Sequence, residues 1–123
     1  VVATDVLYKG IGERARGVIV TQIMPFPWDR SLPIVKEYQE LMAKKGVTEF
    51  SHSGIEGLVL AKALVEGLRA AGKDPTRQRL MDGLEKLNNR DFGGYKLSFS
   101  PSDHNGSDFV EITMIGRGGK LIR

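Results

Sequence analysis

Two apolar segments at the start of the chain constrain its fold more than any other feature. Val1–Asp5 is strand-like, and Gly17–Met24 is a near-continuous β-branched run, typical of a strand covered on both faces in a parallel sheet. Pro25 and Pro27 end this run because proline cannot donate to a strand ladder. Two buried strands at the start need partners that the rest of the sequence barely supplies. We therefore expect the chain to be the C-terminal part of a larger α/β protein.

Three helices are predicted after these strands. Apolar residues at helical spacing predict helices over Leu32–Lys45 and Gly54–Ala71, and Asp74-Pro75-Thr76 is a typical start for a third. Ser31 is the expected N-cap of the first helix. The second helix is apolar on most sides, which predicts that it is largely buried, against a sheet.

The pattern then changes to alternation. Tyr95, Leu97 and Phe99 alternate with polar residues, which predicts a strand with one buried face. Phe109–Ile115 is a further predicted strand, and Lys120–Arg123 can return beside it as the second arm of a hairpin. The predicted order is therefore two strands, three helices and then further strands. This order fits a chain that leaves one sheet, forms helices elsewhere and returns to the first sheet.

Composition and motifs argue against several classes of function. The chain has no cysteine, and its net charge of +3 is spread along the sequence, so neither a thiolate metal site nor a nucleic-acid-binding face is expected. Gly10–Ala15 matches the dinucleotide pattern G-x-G-x-x-A, but a strand-like run follows at once, so we interpret it as a glycine turn. His52 and His104 are the only imidazoles and are far apart in sequence. We predict no cofactor, no metal and no enzymatic activity.

One cluster of residues has the composition of a ligand site. Phe50, Ser51, His52 and Ser53 precede the second predicted helix, whose N-terminal N–H groups and dipole favour a carboxylate or another anion. The alternative is that Ser53 and Glu56 only form a capping box. Phe26 and Trp28 follow a strand end, where aromatic residues can line a pocket or pack in the core.

Taken together, these segments resemble type I periplasmic binding proteins, and most closely the branched-chain amino acid (Leu/Ile/Val) binding proteins of ABC importers. The resemblance covers essentially the whole chain and lies in the order and spacing of five segments. These are Gly17–Pro25, Ile34–Gln39, Ser53–Leu68, Ala71–Thr76 and Phe99–Gly106.

The resemblance implies a periplasmic-binding-protein-like α/β fold whose two lobes close on a ligand, with this chain as a C-terminal piece that contains parts of both. Residues 1–24 would belong to the C-terminal lobe and residues 25–99 to the N-terminal lobe. Residues 100–123 would form an inter-lobe crossing and the C-terminal hairpin. The implied function is the periplasmic capture of a branched-chain amino acid or a similar small acid for delivery to an ABC permease.

Two other functions stay open from the sequence. A regulator or receptor can use the same two-lobed fold to sense a ligand, and a self-contained α/β interaction module would need no further polypeptide. We also expect exposed strand edges to allow association of two copies, by strand exchange.

Overall fold

The computed structural model describes residues 4–123, which form an α/β arrangement in two compact units. One unit comprises the described residues up to Met24 together with Val110–Arg123, and the other is Pro25–Phe109. Within residues 4–123 the helices are α1 (Thr4–Ile11), α2 (Pro33–Lys44), α3 (His52–Ala71) and α4 (Arg77–Leu84). The strands are β1 (Ile19–Gln22), β2 (Arg90–Asp91), β3 (Lys96–Leu97), β4 (Glu111–Ile115) and β5 (Leu121–Ile122). The predicted α/β class is confirmed. Among these described residues, none of the helices has the length and apolarity needed to cross a membrane.

Helix α1 was not anticipated from the sequence. The strand predicted at the start of the chain is wrong at Thr4 and Asp5, which begin α1, and Val1–Ala3 lie outside the described residues. Asp5 in the first turn and Lys9 in the last suit the helix dipole and form an ion pair of 3.7 Å. The segment Gly10–Ala15, interpreted as a plain glycine turn, instead completes α1 and forms a 3₁₀ turn.

A hydrogen-bonded latch joins this helical segment to the turn after β4. The Tyr8 hydroxyl donates to Glu13 Oε1 over 2.6 Å, and the same oxygen accepts the Gly118 N–H over 2.9 Å. The bond from Tyr8, and then the one from Gly118, stabilises the carboxylate and lowers the pKa of Glu13. A Cβ at Gly119 would lie 2.6 Å from the Tyr8 ring, so a glycine is needed where the ring packs.

The sheet of this unit is antiparallel, with strand order β1-β4-β5. The hairpin predicted at the end of the chain is confirmed, because β4 pairs with β5. Gln22, Thr113 and Ile115 are buried on one face. The expectation that the first β-branched run is covered on both faces is wrong within the described residues. Ile19, for example, is 66% exposed.

Helix α2 begins one residue later than predicted and has a different cap. Leu32 is its N-cap and makes no side-chain cap hydrogen bond, so the assignment of Ser31 is wrong. The Ser31 N–H instead donates to Asp29 Oδ1 over 2.9 Å. The Ile34 N–H donates to the Gly93 carbonyl over 2.9 Å, which satisfies one of the N–H groups that a helix start leaves without an intrahelical partner.

Helices α3 and α4 pack closely through glycine. A Cβ at Gly83 would lie 2.7 Å from the Gly67 carbonyl oxygen, and a Cβ at Gly67 would meet the ends of Leu80 and Leu84 at 2.8–2.9 Å. Thr76, the last residue of the predicted helix start, caps α4 by accepting the Arg79 N–H. Within residues 4–123, α3 packs mainly against α4 and α2, and its residues Leu60, Leu64, Val65 and Leu68 are exposed. The largely buried helix that the sequence predicted is therefore not found within these residues.

A short hairpin, β2–β3, follows α4. Asp91 Oδ1 accepts the N–H groups of Gly94 and Gly93 over 2.7 and 2.8 Å, and these bonds lower the pKa of Asp91. The alternation predicted for this region holds for Tyr95 and Leu97, which are buried.

Candidate functional site

The segment after β1 sets up the first part of the candidate site. Pro25 and Pro27 are fully buried, and the Gln39 amide of α2 donates to the Pro27 carbonyl over 2.8 Å. Prolines restrict the backbone, so this anchored segment presents its two aromatic residues in a defined orientation. The rings of Phe26 and Trp28 lie 5.0 Å apart at 54°, and Trp28 is 46% exposed.

The start of α3 supplies the second part. Ser51 is the N-cap: its backbone is extended, and its Oγ accepts the Gly54 N–H over 3.1 Å. The predicted capping box of Ser53 and Glu56 is therefore wrong, because both residues lie inside the helix. The Ser51 N–H donates to the Tyr38 hydroxyl over 3.2 Å, and this contact fixes the position at which α3 begins.

Aromatic contacts join the two parts. The His52 ring lies 6.3 Å from the Phe26 ring at 65°, an edge-on arrangement. The structure thus brings Phe26, Trp28 and His52 together, and we call these three residues the aromatic cluster. Its position at the N-terminus of α3 places apolar ring surface beside the positive end of a 20-residue helix.

The other predicted residues lie beside this cluster. Phe50 packs edge-on against Tyr38, with ring centroids 5.8 Å apart. Ser51 and Ser53 are both exposed, and Ser53 lies in the first turn of α3. Sequence reasoning missed the positioning role of Tyr38 and Gln39. Tyr38 was visible only as one more member of an apolar helical stripe.

Glycine is required at one point of this arrangement. A Cβ at Gly54 would lie 2.7 Å from Cζ of Tyr38 and would also overlap the Tyr38 hydroxyl. The Tyr38 ring, which is 3% exposed, can therefore reach Ser51 only because residue 54 is a glycine and has no side chain. No signal within the sequence indicates this contact, because it joins two different helices.

A concavity of this unit has none of the aromatic cluster residues in its lining. It is an open groove of about 600 Å³ lined by polar residues between α4 and the segment before β4, among them Asn88, Ser98 and Asp108. Several groups in this region hold the loop itself: Asp103 accepts the Asn105 N–H, and His104 pairs with Glu85 over 3.1 Å. Among the described residues, no group of three or more His, Asp or Glu side chains is arranged to hold a metal ion.

Comparisons with known proteins agree with the resemblance found in the sequence. The profile of the periplasmic binding protein family matches residues 2–120. A possible leucine/isoleucine/valine-binding protein from Rhodopirellula baltica SH 1 superimposes with a TM-score of 0.83 at 27% identity, covering 98% of this chain and 33% of that one. A substrate-binding periplasmic protein from Ralstonia solanacearum gives 0.81 at 30% identity, covering 98% and 35%.

A branched-chain amino acid ABC transporter protein from Thermus thermophilus, solved with bound valine, gives a TM-score of 0.72 at 20% identity, a likeness of fold. The chain spans about a third of the length of these solved structures. None of the curated proteins matches the chain. The predicted periplasmic-binding-protein-like fold is confirmed.

Proposed function

This chain belongs to the periplasmic binding protein family, and on that premise we propose that it supplies part of the solute-binding component of an ABC importer. The observation that carries the proposal is the family match over residues 2–120 together with solved structures that superimpose over almost the whole chain. We propose an extracytoplasmic location, in the periplasm, and a role in binding without covalent chemistry.

The ligand that we propose is a branched-chain amino acid or a similar small amino or organic acid. In support, the aromatic cluster offers apolar ring surface that suits a hydrocarbon side chain, and the N-terminus of α3 favours a carboxylate. Phe26, Trp28 and His52 would form one wall, with Phe50, Ser51 and Ser53 beside it. The opposite wall would belong to polypeptide outside this chain. A ligand held between the two walls would shift the equilibrium between open and closed lobes toward the closed state.

The lobe assignment follows from the same proposal. The unit that ends at Met24 and resumes at Val110 would belong to one lobe, and Pro25–Phe109 to the other. The connections at residues 24–25 and 109–110 would then be crossings between lobes. We propose the lobe boundary at Phe109, where the compact unit ends, in place of the boundary at residue 100 expected from the sequence.

Ligand titration of the chain tests the first part of the proposal. Trp28 is the single tryptophan of the sequence, so its fluorescence reports directly on the aromatic cluster. Titration with leucine, isoleucine, valine and phenylalanine should give no saturation at micromolar concentration, because one wall alone lacks most polar contacts. Saturation in the micromolar range would overturn the idea that the site is shared with other polypeptide.

A chimera tests the site itself. The matching third of the Ralstonia solanacearum protein is replaced by this chain, and amino acid binding is followed by calorimetry. His52→Ala and Phe26→Ala should each weaken binding at least about tenfold, since each truncates the proposed wall. Lys36→Ala, at an exposed position of α2, is the control. Equal affinities in all three variants would show that the aromatic cluster is not part of the ligand site.

We propose that the partner of the intact receptor is the permease of the importer. For the isolated chain we propose that two copies associate through exposed strand edges. The edge strand β1 carries β-branched residues and no proline, a composition that allows pairing with another strand. Sedimentation velocity at several concentrations tests this, and a monomer throughout would contradict it.

A further inference from the structure

The net positive charge of the chain belongs to one of its two units. The unit that runs up to Met24 and resumes at Val110 contains six Lys or Arg residues and three Asp or Glu residues. The other unit, Pro25–Phe109, contains twelve of each, so its formal charge is zero. The charge of +3 that is spread along the sequence is therefore concentrated by the fold in the unit with the three-stranded sheet, which we call the sheet unit.

Four cations of the sheet unit make no ion pair within residues 4–123. The other two, Lys9 and Arg123, pair with Asp5 and Glu111 over 3.7 and 2.9 Å. The four that remain are all exposed, and we call them the basic patch: Arg14, Arg16, Arg117 and Lys120. Their charges are available to a partner outside the chain.

Each of two 3₁₀ turns carries two members of the basic patch. The first turn, Gly12–Ala15, contains Arg14 and has Arg16 at its C-cap. The second turn, Arg117–Gly119, begins with one cation and has Lys120 at its C-cap. Both turns therefore present one cation from within the turn and one from the residue that follows it.

The latch holds these two turns together. The turns are in contact, and the Gly118 N–H donates to Glu13 Oε1 over 2.9 Å. The bonds from Tyr8 and Gly118 lower the pKa of Glu13 most, and the positive charge of Arg16 lowers it further, which places Arg16 close to this contact. Residues from the first and the last part of the chain thus form one basic surface.

The basic patch offers charge without the backbone donors that would select a single anion. Backbone N–H groups in turns can bind anions, but the Gly118 N–H is already bonded to Glu13. The four cations stand on long, exposed side chains, and within residues 4–123 none of them is fixed by an ion pair. Such a surface suits a partner that presents many negative charges at once.

An acidic protein fits these observations less well than a lipid surface. Interfaces between proteins obtain most of their binding energy from aromatic and apolar residues near the centre. Here the central aromatic residue is Tyr8, whose ring packs on Gly119 and whose hydroxyl is bonded to Glu13. Attraction to an anionic bilayer is additive over the exposed cations and needs no complementary shape.

We infer that the basic patch binds the anionic headgroups of a lipid bilayer surface. Each Lys or Arg near such a surface strengthens binding about fivefold. Four cations without a lipid chain give weak, reversible binding, and salt weakens it further because the charges are exposed. The inference goes beyond the proposed function, because it assigns the sheet unit a second partner and requires no amino acid.

Co-sedimentation of the 123-residue chain with vesicles is the direct test. Vesicles of equal parts phosphatidylglycerol and phosphatidylcholine should retain the chain at low salt, whereas vesicles of phosphatidylcholine alone should not. Added sodium chloride should release the chain. Sodium phosphate at the same ionic strength should release it no better, because the patch does not select a free phosphate.

Matched variants locate the binding surface. Arg14→Glu combined with Lys120→Glu removes one cation from each turn and should weaken binding to the anionic vesicles at least about twentyfold. Lys36→Glu combined with Arg77→Glu changes the net charge equally at exposed positions of the other unit and should weaken binding less than about threefold. Far-ultraviolet circular dichroism checks that both are folded. If the first variant is not, Arg14→Ala with Lys120→Ala replaces it, with an expected loss of about twentyfold.

The same variants in the chimera with the Ralstonia solanacearum protein, without amino acid, should show the same difference. Equal retention by neutral and anionic vesicles would overturn the inference, as would equal losses in the two charge-reversal variants. So would a chimera in which the difference disappears, because the patch would then be covered in the longer protein. Tighter binding to soluble poly-glutamate than to anionic vesicles would assign the patch to an acidic protein instead. A chimera that binds vesicles through the patch but binds no amino acid supports the inference and counts against the proposed function alone.

Discussion

Replacing Gly54 by alanine should destabilise the chain, although alanine is the better helix former. The new Cβ would lie 2.7 and 2.8 Å from Cζ and Cε2 of Tyr38, distances that real Cβ atoms essentially never show. Tyr38 is buried and its hydroxyl accepts the Ser51 N–H, so the ring has little room to move. The substitution therefore acts on the helix start that carries the candidate site.

The size of the effect follows from three contributions. Overpacking of a filled site costs about 1–3 kcal/mol. Loss of the Ser51–Tyr38 hydrogen bond adds about 1 kcal/mol. The better helix propensity of alanine offsets about 0.5–1 kcal/mol. We expect Gly54→Ala to lower the free energy of unfolding by about 1–3 kcal/mol.

Gly57 provides the matched control three residues further along α3. A Cβ at Gly57 would have no heavy atom within 4 Å among the described residues, so Gly57→Ala should stabilise the isolated chain by about 0.5–1 kcal/mol. Urea denaturation followed by far-ultraviolet circular dichroism measures both variants, and the two urea midpoints should move in opposite directions. If Gly54→Ala proves as stable as Gly57→Ala, the close contact with Tyr38 does not constrain the site.

Further substitutions test the caps, the helix crossing and the latch. Ser51→Ala should cost about 1 kcal/mol because it removes the N-cap of α3, whereas Ser53→Ala should change stability by less than about 0.5 kcal/mol; urea denaturation distinguishes them. Gly83→Ala should cost about 1–3 kcal/mol, more than Gly67→Ala, because its Cβ meets a backbone oxygen and not the flexible ends of leucines. Equal losses in these two variants would contradict that reasoning. The pKa of Glu13 is lower in the folded chain than in the unfolded chain, where it is near 4.5. The stability that the Glu13 carboxylate contributes is therefore fully present above the unfolded pKa and is lost as the pH falls through the folded pKa. Glu13→Gln should therefore flatten the acid limb of a stability–pH profile, and an unchanged acid limb would argue against the latch.

Local sequence signals predicted most of the helices and the last hairpin. The apolar spacing of α2 and α3 and the turn residues before α4 are properties of neighbouring residues, so each could be recognised without knowledge of the fold. The change to alternation at Tyr95 and Leu97 has the same origin. For the candidate site, the sequence indicated Phe50–Ser53 before a helix and, separately, Phe26 and Trp28 after a strand. In the structure the Phe26 ring lies beside both Trp28 and His52.

Helix boundaries and caps could not be predicted as well, because they depend on contacts between elements. Tyr38 selects Ser51 as the cap of α3 through a hydrogen bond over thirteen residues, although Ser53 and Glu56 have the stronger local signature. The backbone of Gly93 similarly binds the start of α2 and makes a side-chain cap unnecessary. A sequence pattern contains no information on partners of this kind.

The apolar pattern of a segment predicts that the segment is buried. It does not predict which element covers the segment. For α3 the sequence established an apolar surface on most sides, and the glycines at 67 and 83 decided which side meets α4. For the first β-branched run the sequence established a strand, and pairing with β4 decided that it is antiparallel. The physical reason is that hydrophobic burial has no direction, whereas hydrogen-bond register and steric fit are specific to the two surfaces that meet.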